Sequence, residues 1–133
     1  MFDRYERGVS VIFDTDVLIW TLRGNEKAAL AIEHDGERAV SIVSCMELLR
    51  GARNKREMAA IRRFLLDFET IPLSEEIGFR GCLYMEQHAL KVDLTPVDAL
   101  IAATAVERQQ VLCTGNSRHY RQISELDLRT FRP

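Results

Sequence analysis

The sequence predicts an α/β fold in which helices cover both faces of a parallel sheet. Three observations carry this. Residues 9–13 are apolar except for Ser10, with β-branched side chains at Val9, Val11 and Ile12, as suits a strand buried on both faces. Strand-like runs alternate along the chain with stretches of helical periodicity, the pattern of strand–helix–strand units. Residues 95–106 open with a capping residue and a proline, then turn almost wholly small or apolar, as in a helix pressed against a sheet.

Taken in order, the first strand ends at Asp14, Thr15 and Asp16, and residues 17–23 read as a short helix broken by Gly24 and Asn25. Residues 27–34 read as a second helix, ended by Asp35 and Gly36, and residues 38–41 as a second strand. Ser44 and Glu47 have capping-box spacing, so a third helix is expected to start at Ser44 and stop at Gly51. Residues 54–68 place Met58, Ile61, Leu65 and Phe68 on one helical face. Residues 69–73 follow as a strand, and Ser74 suits the cap of a helix running to about Leu90. Thr95 and Pro96 then suit a cap and a first helical position, with Asp98 in the first turn, where the helix dipole favours a carboxylate. Residues 111–114 form the next strand, closed by Gly115 and Asn116, and residues 126–131 an edge strand.

A chain of 133 residues is expected to be a single domain, residues 1–133, with a substantial core. A net charge of −2 argues against a protein that coats nucleic acid by bulk charge, and leaves room for a local basic groove. The opening MFDRYERG is charged from its third residue, unlike a secretory signal. No apolar run approaches the roughly 20 residues that span a bilayer, so a cytoplasmic protein with no membrane segment is expected. Cys45, Cys82 and Cys113 form no C-x-x-C pair and are expected to be small buried hydrophobes in a reducing compartment.

Ligands of open α/β sheets bind at the carboxyl ends of the strands. Asp14 and Glu47 each follow a predicted strand, and Asp98 opens a helix that must be buried, so the three are expected at one edge. Helix capping accounts for any one of them alone. It does not account for their convergence. Crowded carboxylates raise one another's pKa unless a cation intervenes. Oxygen donors without His or Cys at metal-motif spacing suit Mg²⁺ or Mn²⁺, and such a centre suits phosphoryl transfer to water.

VIFDTDVLIW, SIVSCMELLRG, DALIAATA and LCTGNSRHY stand in the order and spacing of PIN-domain nucleases. Over residues 9–129 the chain most resembles the VapC toxins of bacterial toxin–antitoxin pairs. The resemblance implies a three-layer α/β/α PIN-like domain, Mg²⁺- or Mn²⁺-dependent cleavage of RNA and a cognate antitoxin. It places Asp14, Glu47 and Asp98 at the family's core acids, as catalytic residues and metal ligands. The fourth acidic position is Asn116, a catalytic position without charge, which weakens the hold on a second metal. Thr15 and Thr114 are expected to support the site. Arg118 and His119, in a basic patch with Arg121, are expected to hold the RNA backbone and supply the attraction that the net charge does not. A homodimer is expected because Met46, Leu48, Leu49, Met58, Ile61, Phe64 and Leu65 exceed what one buried face needs.

Two other readings compete. Asp14 and Asp16 after an apolar strand also match the opening of haloacid-dehalogenase-type phosphatases, with Asp14 as nucleophile and Asp16 as acid. That family needs a late acidic motif, and none follows Asp98. Asp16→Asn is expected to stop such a phosphatase and to spare a nuclease. The other competitor is a PIN-like module that binds RNA or a partner without cutting, against which the intact Asp14, Glu47 and Asp98 argue.

Overall fold

The computed structural model describes residues 10–34 and 36–133. In chain order these form β1 (Val11–Phe13), α1 (Thr15–Leu22), α2 (Glu26–Glu33), β2 (Arg38–Ser41), α3 (Ile42–Arg50), α4 (Lys55–Leu65), β3 (Glu69–Ile71), α5 (Glu75–His88), α6 (Pro96–Glu107), β4 (Val111–Thr114), a 3-10 turn (Ser117–His119) and β5 (Leu128–Thr130). The five strands pair in parallel in the order β3-β2-β1-β4-β5. The expected fold is therefore present, with β5 at one edge and β1 at the centre.

Strand side chains alternate between faces, and that period divides the core in two. Val11 and Phe13 of β1, Val40 of β2, and Val111 and Cys113 of β4 pack with Val17, Leu18, Ile32, Leu48 and Ile61 from the helices of one layer. Ile12, Ala39 and Leu112 point the other way, onto Ile77 and Tyr84 of α5 and onto α6. Helix α6 buries Ala99, Ile101, Ala102, Ala103 and Ala105, so apolar residues all round it are explained by its place in the core. Gly81 lets α5 approach it closely: a Cβ there would stand 3.0 Å from Leu100 Cδ2. Among the described residues no helix is long and apolar enough to cross a membrane.

The structure corrects several sequence expectations. Helix α3 starts at Ile42 with Ser41 as its cap, whose hydroxyl accepts from the Val43 amide. Ser41 and Ser44 both suit a cap chemically, and the end of β2 at Ser41 decides between them. Ser44 is thus buried inside the helix, and Glu47 lies a turn beyond any capping box. Helix α1 begins at Thr15 because Asp14 caps it. Cys45 and Cys113 are buried as expected, whereas Cys82 is exposed on α5. Of the apolar surplus on α3 and α4, Leu48 and Ile61 are buried, and Leu49, Phe64 and Leu65 pack on the core, leaving Met46 and Met58 exposed. Val9, the opening residues 1–8 and Asp35 lie outside the described residues.

Candidate active site

Asp14 stands where β1 ends, 5% exposed. Its backbone amide donates to Cys113 O at 2.9 Å, tying it to the end of β4. Its Oδ1 accepts from the Thr15 amide at 2.9 Å, which makes it the cap of α1. Its Oδ2 accepts from the Thr114 hydroxyl at 2.7 Å and lies 3.1 Å from the Tyr120 hydroxyl. Asp98 sits in the first turn of α6 in a reciprocal capping box with Thr95. Its Oδ1 lies 3.2 Å from the same Tyr120 hydroxyl. The capping and the functional roles therefore coexist in both residues, and one phenol joins the two carboxylates.

Burial pushes the Asp14 carboxyl up to about 7, helped by the nearby carboxylates of Asp16 and Asp98 and opposed by the Thr114 and Thr15 hydrogen bonds. The Tyr120 hydroxyl is pushed far above its ordinary value, first by burial and then by Asp14 and Asp98. A phenol carries one proton and cannot donate it to both carboxylates. Without a cation the bridge is completed when one carboxyl keeps its own proton, and Asp14 is the one whose environment favours that.

Glu47 reaches the site through Thr15. Thr15 Oγ1 lies 2.6 Å from Glu47 Oε1 and 2.9 Å from Ser44 Oγ, and its single proton serves the carboxylate. Thr15 and Thr114 thus hold Glu47 and Asp14 respectively. Asn116 is exposed, and its backbone amide donates to Thr114 Oγ1 at 2.9 Å. The structure gives its side chain no hydrogen bond to the acids. His119 turns toward the acids: its Nδ1 is buried 3.4 Å from Asp98 Oδ2. Arg118 is exposed and faces a cavity beyond Asn116. Among the described residues no three acid, His or Cys side chains lie close enough together to enclose an ion.

Sequence reasoning missed Tyr120, and it read Asp16 only as a phosphatase acid. Asp16 Oδ1 accepts from the Val17 amide at 2.8 Å, and its Oδ2 accepts from the Gly115 amide at 3.0 Å. Burial raises its pKa, and Asp98 adds to the rise. Asp16 therefore stands beside the acidic cluster, so Asp16→Asn is expected to disturb a nuclease as well as a phosphatase. Its grip on the loop after β4 needs a glycine, since a Cβ on Gly115 would stand 2.7 Å from Asp16 Oδ2 and 3.5 Å from Phe131 O. Gly115→Ala is expected to break this hydrogen bond and to destabilise the protein by about 1–2 kcal/mol. Urea unfolding measures it, and an unchanged midpoint would show that the turn relaxes freely.

Three acids on one sheet edge, beneath a nearly apolar helix, define an α/β protein with an acidic crevice. The family model described as the PIN domain matches residues 11–125. Ribonuclease VapC10 of Mycobacterium tuberculosis is 33% identical over 120 residues, covering 87% of this chain and 90% of that protein. Ribonuclease VapC1 of Methanocaldococcus jannaschii is 25% identical over 122 residues, covering 91% and 86%. A toxin–antitoxin complex from Klebsiella pneumoniae contains a chain that superposes with a TM-score of 0.78 at 28% identity, covering 90% of this chain and 96% of that one. The chain belongs to the PIN-domain family, and the phosphatase reading is set aside.

Proposed function

We propose that this chain is the toxin of a toxin–antitoxin pair, an Mg²⁺- or Mn²⁺-dependent endoribonuclease acting as one domain in the cytoplasm. The observation that carries this reading is the pairing of Asp14 and Asp98 on one Tyr120 hydroxyl, with the Asp14 carboxyl raised to about 7. Among the described residues no Lys or Arg forms an ion pair with Asp14, Asp16 or Asp98. A hard divalent cation suits this donor set, since Mg²⁺ keeps several waters and takes only one or two carboxylates directly. Asp14 and Asp98 would hold it, with Glu47 reaching it from Thr15. Bound there, it supplies the Lewis acidity that polarises a phosphate and acidifies water.

The chain's own groups do the rest. Thr114 and Tyr120 fix the Asp14 carboxylate, and Thr15 fixes one oxygen of Glu47. The other Glu47 oxygen, on an exposed side chain, would take a proton from the attacking water. Asn116 offers a neutral amide at the crevice mouth, and Arg118 a cation for the RNA backbone. The VapC ribonucleases and the toxin–antitoxin complex among the relatives support the same reading.

The seat proposed for the antitoxin is a groove of about 470 Å³ between α1, α3 and α4, whose lining includes Ile19, Leu22, Glu47, Leu48 and Ile61. A peptide with apolar side chains fills it, and an arginine on that peptide pairs with the acids in place of the cation. A homodimer completes the proposal. Phe79 and Leu83, one helical turn apart on α5 and 70% and 43% exposed, offer a larger apolar face than Met46 and Met58. Light scattering is expected to give a dimer that Phe79→Glu dissociates, and a strict monomer in the parent would refute it.

Growth tests the whole reading. Expression of the protein alone is expected to arrest growth, and Asp98→Asn, which keeps a side chain suited to the first turn of α6, is expected to relieve the arrest. Arrest of equal strength by a folded Asp98→Asn protein would remove catalysis as its cause.

A further inference from the structure

Beyond Asn116, at the β4–β5 edge, lies a cavity of about 500 Å³ whose walls include Gly115, Asn116, Arg118, Arg121, Phe131 and Arg132. The lining holds three arginines and no acidic side chain. Arg118, Arg121 and Arg132 are all exposed, and none takes part in an ion pair among the described residues. The protein as a whole is slightly acidic, at −2, so this concentration of unpaired guanidinium groups stands out from its surroundings. A guanidinium binds phosphate through paired N–H donors, which suits it to this task more than an ammonium.

The cavity's place along the sheet edge matters as much as its charge. Read across the strand order, the carboxyl edge carries Glu47 on the helix after β2, Asp14 after β1, Thr114 and Asn116 at β4, and then the arginine cavity between β4 and β5. Neighbouring strands lie about 4.8 Å apart, so a cavity between β4 and β5 lies between one and two strand spacings from Asp14 along the edge. Gly115 and Asn116 form the wall between the acidic crevice and the cavity, and Asp16 holds that wall through the Gly115 amide.

We propose that this cavity is a phosphate subsite, in which Arg118, Arg121 and Arg132 hold a backbone phosphate of single-stranded RNA next to the scissile one. The proposal rests on the nuclease reading above and adds the direction in which the strand leaves the acids, across Asn116 toward β5. The subsite anchors the polyanion without help from a cation, at a point where the acids alone repel it. The acids then act on a phosphodiester whose neighbour is already fixed.

Binding in EDTA isolates the subsite from catalysis. A fluorescein-labelled single-stranded RNA is titrated with the parent, with the Arg121→Gln/Arg132→Gln double variant, and with Arg62→Gln on the exposed face of α4 as a charge control. The double variant is expected to bind roughly tenfold more weakly, with a salt dependence whose slope is shallower by about 0.7 for each phosphate that it no longer neutralises. Arg62→Gln is expected to bind as the parent does, and circular dichroism checks that each variant is folded. Equal affinity and equal salt slope in parent and double variant would overturn the subsite. So would a double variant that binds RNA normally and fails to bind an acidic peptide, which would make the cavity a protein-docking site. Loss of EDTA binding in the double variant supports the subsite whether or not the parent cleaves. Absence of Mn²⁺-stimulated cleavage by the parent overturns the nuclease reading alone.

Discussion

Replacing Asp14 with asparagine is expected to move activity and stability in opposite directions. Mn²⁺-dependent RNA cleavage should fall by at least roughly a hundredfold, the scale of losing a principal metal ligand or transition-state stabiliser. At pH 8 the metal-free variant should nevertheless be more stable than the metal-free parent. The parent must hold an ionised carboxylate that is buried beside Asp16 and Asp98, whereas the variant holds a neutral amide that still caps α1. A rise from the ordinary value to about 7 corresponds to about 4 kcal/mol at full ionisation, an upper bound for the gain. Cleavage assays and urea unfolding at pH 8 read the two effects. A variant that loses activity and stability together would mean that Asp14 serves the fold alone.

The second expected result concerns pH. The folded-state pKa of Asp14 lies above its unfolded value, so the folded protein binds the extra proton between about 4 and about 7. Its contribution to stability is complete below that window and is lost as the pH rises through about 7. The metal-free protein should therefore unfold at lower urea at pH 8 than at pH 5. Mg²⁺ or Mn²⁺ should reverse the loss, because an ion that binds only the folded state stabilises by about 2.7 kcal/mol at one hundred times its Kd. The reversal should be larger at pH 8 than at pH 5, where the proton competes for the carboxylate. Thermal melts with and without the ion, at both values, measure it. A melting temperature that rises with pH in EDTA would contradict the account.

The three acids are legible in the sequence because each stands at a local boundary that the sequence marks. Asp14 follows an apolar run, Glu47 follows a serine-marked helix start, and Asp98 follows Thr-Pro. Such marks are local chemistry, and they place a residue at a sheet edge without long-range information. For Glu47 the sequence points to the right edge and the wrong helix start, because Ser41 and Ser44 offer the same capping chemistry and only the end of β2 distinguishes them. Tyr120 is not legible. It meets Asp14 across 106 positions and sits after a three-residue 3-10 turn, too short to leave a periodic signal. Asp16 is visible as an acid, but its partner is the Gly115 amide, a backbone group with no side-chain signature. The arginine cavity is half legible. Arg118 and Arg121 are close in sequence, whereas Arg132 joins them only because β5 pairs with β4.

The central claim is that the acids on this edge hydrolyse RNA with a divalent cation. The most direct measurement is cleavage of an end-labelled single-stranded RNA by the purified, partner-free protein, in EDTA and in Mn²⁺, beside a folded Asp98→Asn variant. The account predicts cleavage by the parent in Mn²⁺, none in EDTA, and none by Asp98→Asn in either. Cleavage that persists in EDTA, or that Asp98→Asn retains in full, would contradict it.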